Sequence, residues 1–269
     1  MASSTFKSKV QLTHIGTATA ILSIDGINFL TDPYFSPDGT AWDLGILTLT
    51  SHYTPALSVA DLPPIDAVLL SHEDHPDNLD ELGRQLLNGR HVLTTQAGAE
   101  ALKPRPGVRG MAPWETTALE LGGRRFEITA TPCQHLPGGQ CVGFVLSEPS
   151  FGHNAADGKP NVIYFSGDTV YYPDITPIRE RWHVSLALLN LGSAAAPVSS
   201  DQALLQITMD GKQASQLVRD MGADVMVPMH YEGWDHFQEK REHLGKSLEE
   251  GGIADKVVWL KPGVATKIL

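Results

Sequence analysis

Ser71-His72-Glu73-Asp74-His75-Pro76-Asp77-Asn78 follows directly on Ile65-Asp66-Ala67-Val68-Leu69-Leu70. The preceding six residues are nearly all apolar, as in a short strand buried on both faces of a sheet. The next stretch places two imidazoles and three carboxylates between His72 and Asp77. So dense a cluster at the mouth of an apolar strand is poorly explained as a solvated face and points to a functional site. Asn78 is a good N-cap with Glu81 three residues on, which predicts a helix over 78–87, ended by Gly89.

Four other places repeat this pattern of a strand followed by a polar residue able to bind metal. Asp32 follows a predicted strand at 27–31, and His135 follows Thr131-Pro132-Cys133-Gln134. Asp168 follows Tyr164-Phe165-Ser166-Gly167, and His230 follows Val227-Pro228-Met229. Ends of neighbouring strands lie side by side in layered sheets, so donors distant in sequence can meet at one edge. Imidazole and carboxylate together suit zinc, iron or manganese without a thiolate. Taken singly, each His also reads as a hydrogen-bonded loop residue, and Gly167-Asp168 as a turn.

Alternation predicts strands at 10–15, 18–24 and 27–31, with Asp25-Gly26 as a hairpin turn. Residues 33–64 read as irregular and Pro-rich, with Tyr34, Phe35, Trp42, His52 and Tyr53, as in a functional loop or lid. Further strands are expected at 91–94, 117–121, 124–130, 141–147 and 161–166. The last third alternates, with helices at 173–182, 210–221 and 234–249 and strands at 184–190, 224–228 and 257–260; a short helix is also expected at 96–102. No tandem repeat or linker breaks the pattern. The expectation is one domain over 1–269, of α/β (α+β) class: an αββα sandwich of two mixed β-sheets flanked by helices.

The chain has 269 residues, with 20 Lys+Arg against 31 Asp+Glu and a net charge of −11. That balance disfavours nucleic acid or an anionic membrane as partner. The first ten residues lack an apolar signal-peptide core, and no apolar run approaches the roughly 20 residues of a membrane span. Cys133 and Cys141 could pair, but two cysteines make no disulfide framework, and a reduced, cytoplasmic setting fits better. A small-molecule substrate is the expected partner; the oligomeric state is left open.

The order of the five motifs resembles that of the metallo-β-lactamase superfamily: an Asp, a His-rich loop opening a helix, a His, an Asp in a Gly-Asp turn, and a final His. The resemblance runs from about residue 12 to residue 234. Within the superfamily the chain is most similar to the ascorbate-6-phosphate-lactonase-like branch. Gly16-Thr17-Ala18-Thr19 and Leu30-Thr31-Asp32-Pro33 stand where that branch has Gly-His-Ala-Thr and Leu-Thr-Asp-Pro. The resemblance implies the metallo-β-lactamase fold. Position by position, it implies a first metal site of His72, His75 and His135, and a second of Asp77 and His230 with Asp168 bridging. Asp32 would orient the loop by hydrogen bonds, as carboxylates behind metal-binding histidines do.

The chain departs from the family pattern in two places. The family loop reads His-x-His-x-Asp-His, and this one is a residue longer. Aligned from the helix side, Glu73 takes the place of the first His; aligned from the strand side, His72 does, and that alignment is preferred. Asn78 stands in the place of the last His and is a poor ligand, so one tight site and a second that is weak or absent are expected. Thr17 replaces the branch's His. The implied activity is a metal-dependent hydrolase, with Zn²⁺ as the cofactor and Mn²⁺ or Fe²⁺ as alternatives. A bound dication generates hydroxide near neutral pH, which would open a small ester, lactone or amide, with Asp77 accepting or shuttling the proton. Tyr34 and Trp234 could form an apolar substrate wall, though they read equally well as core, and His236 reads equally well as a helix-surface residue. Two other functions compete: an iron-dependent redox member that does not hydrolyse, and a non-catalytic, metal-poor binding module. The retention of His135, Asp168 and His230 argues against the module.

Overall fold

The computed structural model describes residues 6–45, 47–197 and 203–269. It opens with β1 (Val10–Gly16), β2 (Thr19–Ile24) and β3 (Ile27–Thr31), then a small hairpin of β4 (Ala41–Asp43) and β5 (Thr48–Thr50). Next come β6 (Ala67–Leu69), α1 (Glu81–Leu86), β7 (His91–Thr95), α2 (Gln96–Ala101) and β8 (Val108–Met111). The strands β9 (Thr116–Leu121), β10 (Arg124–Pro132), β11 (Val142–Ser147) and β12 (Asn161–Phe165) lead to α3 (Pro177–Arg181) and β13 (His183–Asn190). A second small antiparallel pair, β14 (Ala195–Pro197) and β15 (Leu204–Gln206), precedes α4 (Gly211–Met221), β16 (Val225–Met229), α5 (Arg241–Glu250) and β17 (Thr266–Lys267).

Two mixed sheets result. One runs β17-β1-β2-β3-β6-β7-β8, the other β16-β13-β12-β11-β10-β9. Successive residues of a strand face opposite sides, and here both sides are covered. Phe29 and Leu69 of the first sheet meet Phe126, Ile128, Phe165, Leu186 and Leu188 of the second between the sheets. The intervening Leu30, Val68 and Leu70 turn outward under Leu86 and Leu87 at the end of α1. Ala187 and Leu189 turn outward under Ala214, Leu217, Val218 and Met221, the helical-spaced apolar face of α4. The layers are therefore helix, sheet, sheet, helix: the expected αββα sandwich.

Burial on both faces explains why these strands were legible as apolar runs. It also places the site. β3 and β6 are parallel neighbours, as are β12, β13 and β16, and β10 runs the same way as β12 across β11. Asp32, the Ser71–Asp77 loop, His135, Asp168 and His230 all follow C-terminal strand ends.

Some expected elements differ. The helix expected from residue 78 begins at Glu81, because Asp80 is its N-cap and accepts from the Gly83 N–H at 2.7 Å. The helix expected over 234–249 begins at Arg241. The residues before it form a strap instead, bridging Ser51 through Trp234 and Ala194 through Phe237. The expected strand at 257–260 makes one isolated bridge, Val257 to Met226. Residues 173–182 split into a 3₁₀ turn and α3. Cys133 and Cys141 are free thiols, one rung beyond the Pro132–Val142 pair. Among the described residues no helix is long and apolar enough to cross a membrane.

Candidate metal centre

His72, His75 and His135 converge. His72 Nε2 lies 2.9 Å from His75 Nδ1, and His135 Nε2 lies 3.2 Å from the same atom. The three donor atoms all fall within 4.8 Å of one another. Two of the rings have their tautomer set from behind. His135 Nδ1 is 2.8 Å from the Ile207 carbonyl, which can only accept, so Nδ1 carries the proton and Nε2 presents a lone pair. Ser71 Oγ donates to Asp32 Oδ2 at 2.8 Å, and its lone pairs then face His72 Nδ1 at 2.8 Å. His72 therefore also turns a bare Nε2 into the cluster. Both lone pairs face His75 Nδ1, and the 2.9 and 3.2 Å separations are near the roughly 3.3 Å edge of a tetrahedron of nitrogens about a zinc-sized ion.

Electrostatics agree. Burial, then the neighbouring His75 and His135, hold His72 well below the usual imidazole range. Burial also pulls His135 down. Both rings stay neutral near pH 7, the form that binds metal.

Asp32 sits wholly buried behind this set. Besides Ser71 Oγ it accepts from the Ser71 N–H at 2.7 Å and from Asn78 Nδ2 at 3.1 Å. Asp32 thus ties the start of the histidine loop to its end. Burial, then the charge on Asp168, raise its pKa, while the three donors that face it favour the ionised form. The turn before Asp168 depends on Gly167, whose φ is +57°. A Cβ there would stand 2.6 Å from the Val142 carbonyl oxygen and 2.8 Å from Ser71 Cβ, so only glycine lets this turn pack against the loop.

A second group lies beside the first. His230 Nε2 is 3.6 Å from Asp77 Oδ2 and 3.8 Å from Asp168 Oδ2. His236 Nε2 is 3.5 Å from the same Asp77 oxygen. These separations are long for hydrogen bonds and close to donor spacing around a shared dication. His230 is 1% exposed, yet neither ring nitrogen has a hydrogen-bond partner among the described residues. A fully buried imidazole without partners is costly, and the residues present fit a cation that would satisfy it. Asn190 Nδ2 holds Asp168 Oδ1 at 2.7 Å, leaving Oδ2 for the site. Burial opposes ionisation of Asp77, but the neighbouring His230 and His236 rings outweigh it and hold its carboxyl well below the usual range.

The other named residues take definite places. Glu73 is turned away to Arg84, 2.8 Å from its Nη2, whereas His72 turns towards His75. Asn78 faces Asp32, away from the donors. Thr17 presents its carbonyl, which accepts the His230 N–H at 2.9 Å and faces His14 Nε2 at 3.0 Å. Tyr34 and Trp234 are not among the described residues that line the cavity. They pack with Trp42 at centroid distances of 5.2 to 5.8 Å, in one apolar cluster with the lining residues Leu49, Ala194 and Ile207. Sequence reasoning did not assign Ser71, Asn190 or the placement of His236. Only His236 left a trace, as one of two imidazoles in Met229-His230-Tyr231-Glu232-Gly233-Trp234-Asp235-His236.

Comparison with known proteins follows the same line. Residues 27–231 match the family model described as the beta-lactamase superfamily domain. A UPF0173 metal-dependent hydrolase from Methanopyrus kandleri is 26% identical, with 94% of this chain and 98% of that protein aligned. An isothiocyanate hydrolase from Delia radicum gut bacteria superposes with a TM-score of 0.76 at 22% identity, covering 95% of this chain and 98% of the other. A metallo hydrolase from the archaeon Ignicoccus hospitalis superposes with a TM-score of 0.70 at 20% identity, covering 97% and 99%. The chain belongs to the metallo-β-lactamase superfamily and has its fold.

Proposed function

We propose that the protein is a metal-dependent hydrolase that opens a small ester, lactone or amide. The observation that carries this reading is the convergence of His72, His75 and His135, two of them with their free lone pairs aimed inward. His72, His75 and His135 would hold the tighter ion. Asp77, Asp168 and His230 would hold a second, weaker one. Imidazole-rich donors favour Zn²⁺, with Mn²⁺ or Fe²⁺ as alternatives. When bound, the metal supplies Lewis acidity and a source of hydroxide near neutral pH. Asp77, ionised and at the cavity floor, accepts the proton released as the nucleophile forms. The relay from Asp32 through Ser71 keeps His72 aimed, and the Ile207 carbonyl does the same for His135. The two free thiols suit a reducing, cytoplasmic compartment. The relatives named as metal-dependent hydrolases support a small-molecule substrate. The test is chelation: a stripped protein should lose turnover of a generic ester and regain it on adding Zn²⁺. Full activity with no metal present would refute the reading.

Two expected results follow from the supporting residues. Ser71→Ala removes the hydroxyl partner of His72 Nδ1, leaving Cys141 Sγ at 3.6 Å, and the hydroxyl link to Asp32. It should weaken the tight ion about 10- to 100-fold, the usual worth of such a partner, read by competition with a chromogenic chelator. An unchanged affinity would show that packing alone aims His72. His236 Nε2 stands 3.5 Å from Asp77 Oδ2. His236→Ala should weaken the second ion while leaving the first binding step in a zinc titration unchanged. Loss of the first step instead would mean that the two groups had been wrongly separated.

A further inference from the structure

The cavity over these donors, about 50 Å³, has two unlike halves. The floor is imidazole and carboxylate. The walls are aliphatic: Leu47 and Leu49 from the β4–β5 hairpin, Leu136 from the His135 loop, and Ala194, Ala196 and Ile207 around the β14–β15 pair. Among the described lining residues none is Lys or Arg, and none of those in the walls is Ser, Thr, Asn or Gln. The apolar character continues outward. Leu44, at the mouth on the first hairpin, is 47% exposed, and Leu205, also exposed, is the register partner of Ala196. Directly opposed residues share a face of a strand pair, so Leu205 extends the Ala196 wall towards solvent. Exposed leucines on both hairpins that frame one cavity are unusual for a surface that binds nothing.

We infer that the substrate carries a neutral aliphatic chain, bound between the two hairpins, with its reacting carbonyl at the metal centre. This rests on the hydrolase reading and adds a substrate class to it. A phosphate or carboxylate on that chain would be desolvated against leucine and alanine with no counter-charge, which is strongly unfavourable. The net charge of −11 adds long-range repulsion. The pocket therefore disfavours a phosphorylated lactone, the substrate that the branch resemblance suggests, and favours simple acyl esters or amides.

The test uses the metal-loaded protein and p-nitrophenyl acetate, butyrate, hexanoate and hemisuccinate. The ratio kcat/KM should climb about fourfold per methylene while the chain stays between the hairpins. The hemisuccinate, matched in length to butyrate but anionic, should fall at least tenfold below it. Leu47→Lys, on the partly exposed hairpin, should flatten the climb and narrow the gap between hemisuccinate and butyrate. A flat chain-length profile, or a hemisuccinate at least as good as butyrate, would overturn the inference. Calorimetric titration with butyramide, hexanamide and octanamide tests the pocket apart from turnover. Affinity should tighten with length, and a flat series would also overturn the inference. If the amides follow length but no ester is cleaved, the hydrolase reading fails while the pocket assignment stands.

Discussion

His75→Ala should abolish metal retention and, with it, all hydrolysis. His75 Nδ1 is the atom to which both other imidazoles point, at 2.9 and 3.2 Å. Removing it leaves two donors, too few to hold a dication against water in an open cavity. The variant should still fold, because His75 is only partly buried. Elemental analysis after dialysis, with circular dichroism as a folding control, reads the result. A folded His75→Ala protein that keeps its metal would show that the ion sits elsewhere.

Asp77→Asn should give a different kind of loss. The shape is kept, but the charge and the proton acceptor go. The three imidazoles are untouched, so the tighter ion should remain. Turnover should fall about 10²- to 10⁴-fold, the usual effect of removing a positioned acid–base group. A purely structural role for Asp77, as a helix cap, would make the substitution nearly silent, since Asn caps as well as Asp does. The geometry disfavours that role: Asp80 caps α1, and Asp77 Oδ2 faces His230 and His236. An active, metal-replete Asp77→Asn protein would nevertheless reduce Asp77 to a scaffold residue.

How far the sequence could be read depended on where the controlling interactions lie. Strand ends were legible because both faces of each sheet are covered, so the apolar runs stop where the chain leaves the layers. That placed Asp32, His72, His75, Asp77, His135, Asp168 and His230 at one edge. The cap of α1 was misplaced because Asn78 and Asp80 are both good N-caps, and only tertiary contact separates them. Asn78 is drawn inward by Asp32, while Asp80 also accepts from the Phe35 N–H at 2.9 Å and from Ser36 Oγ at 2.6 Å. His236 was illegible for a related reason. Trp234 and Phe237, three apart, mimic the start of an amphipathic helix, but they bridge Ser51 and Ala194 of the two hairpin regions. That long-range pairing carries His236 inward to Asp77. The same hairpins have no strong strand signal of their own and gain their stability from the aromatic cluster of Tyr34, Trp42 and Trp234. Those aromatics consequently support the cavity wall.

The central claim is that His72, His75 and His135 form a tight site for one catalytic dication. Elemental analysis of the purified wild-type protein after exhaustive dialysis tests it most directly. The predicted result is nearer one transition-metal ion than two per chain, zinc foremost, with a second taken up only when excess metal is supplied. A wild-type protein that retains no metal, and takes up none on titration, would contradict the account.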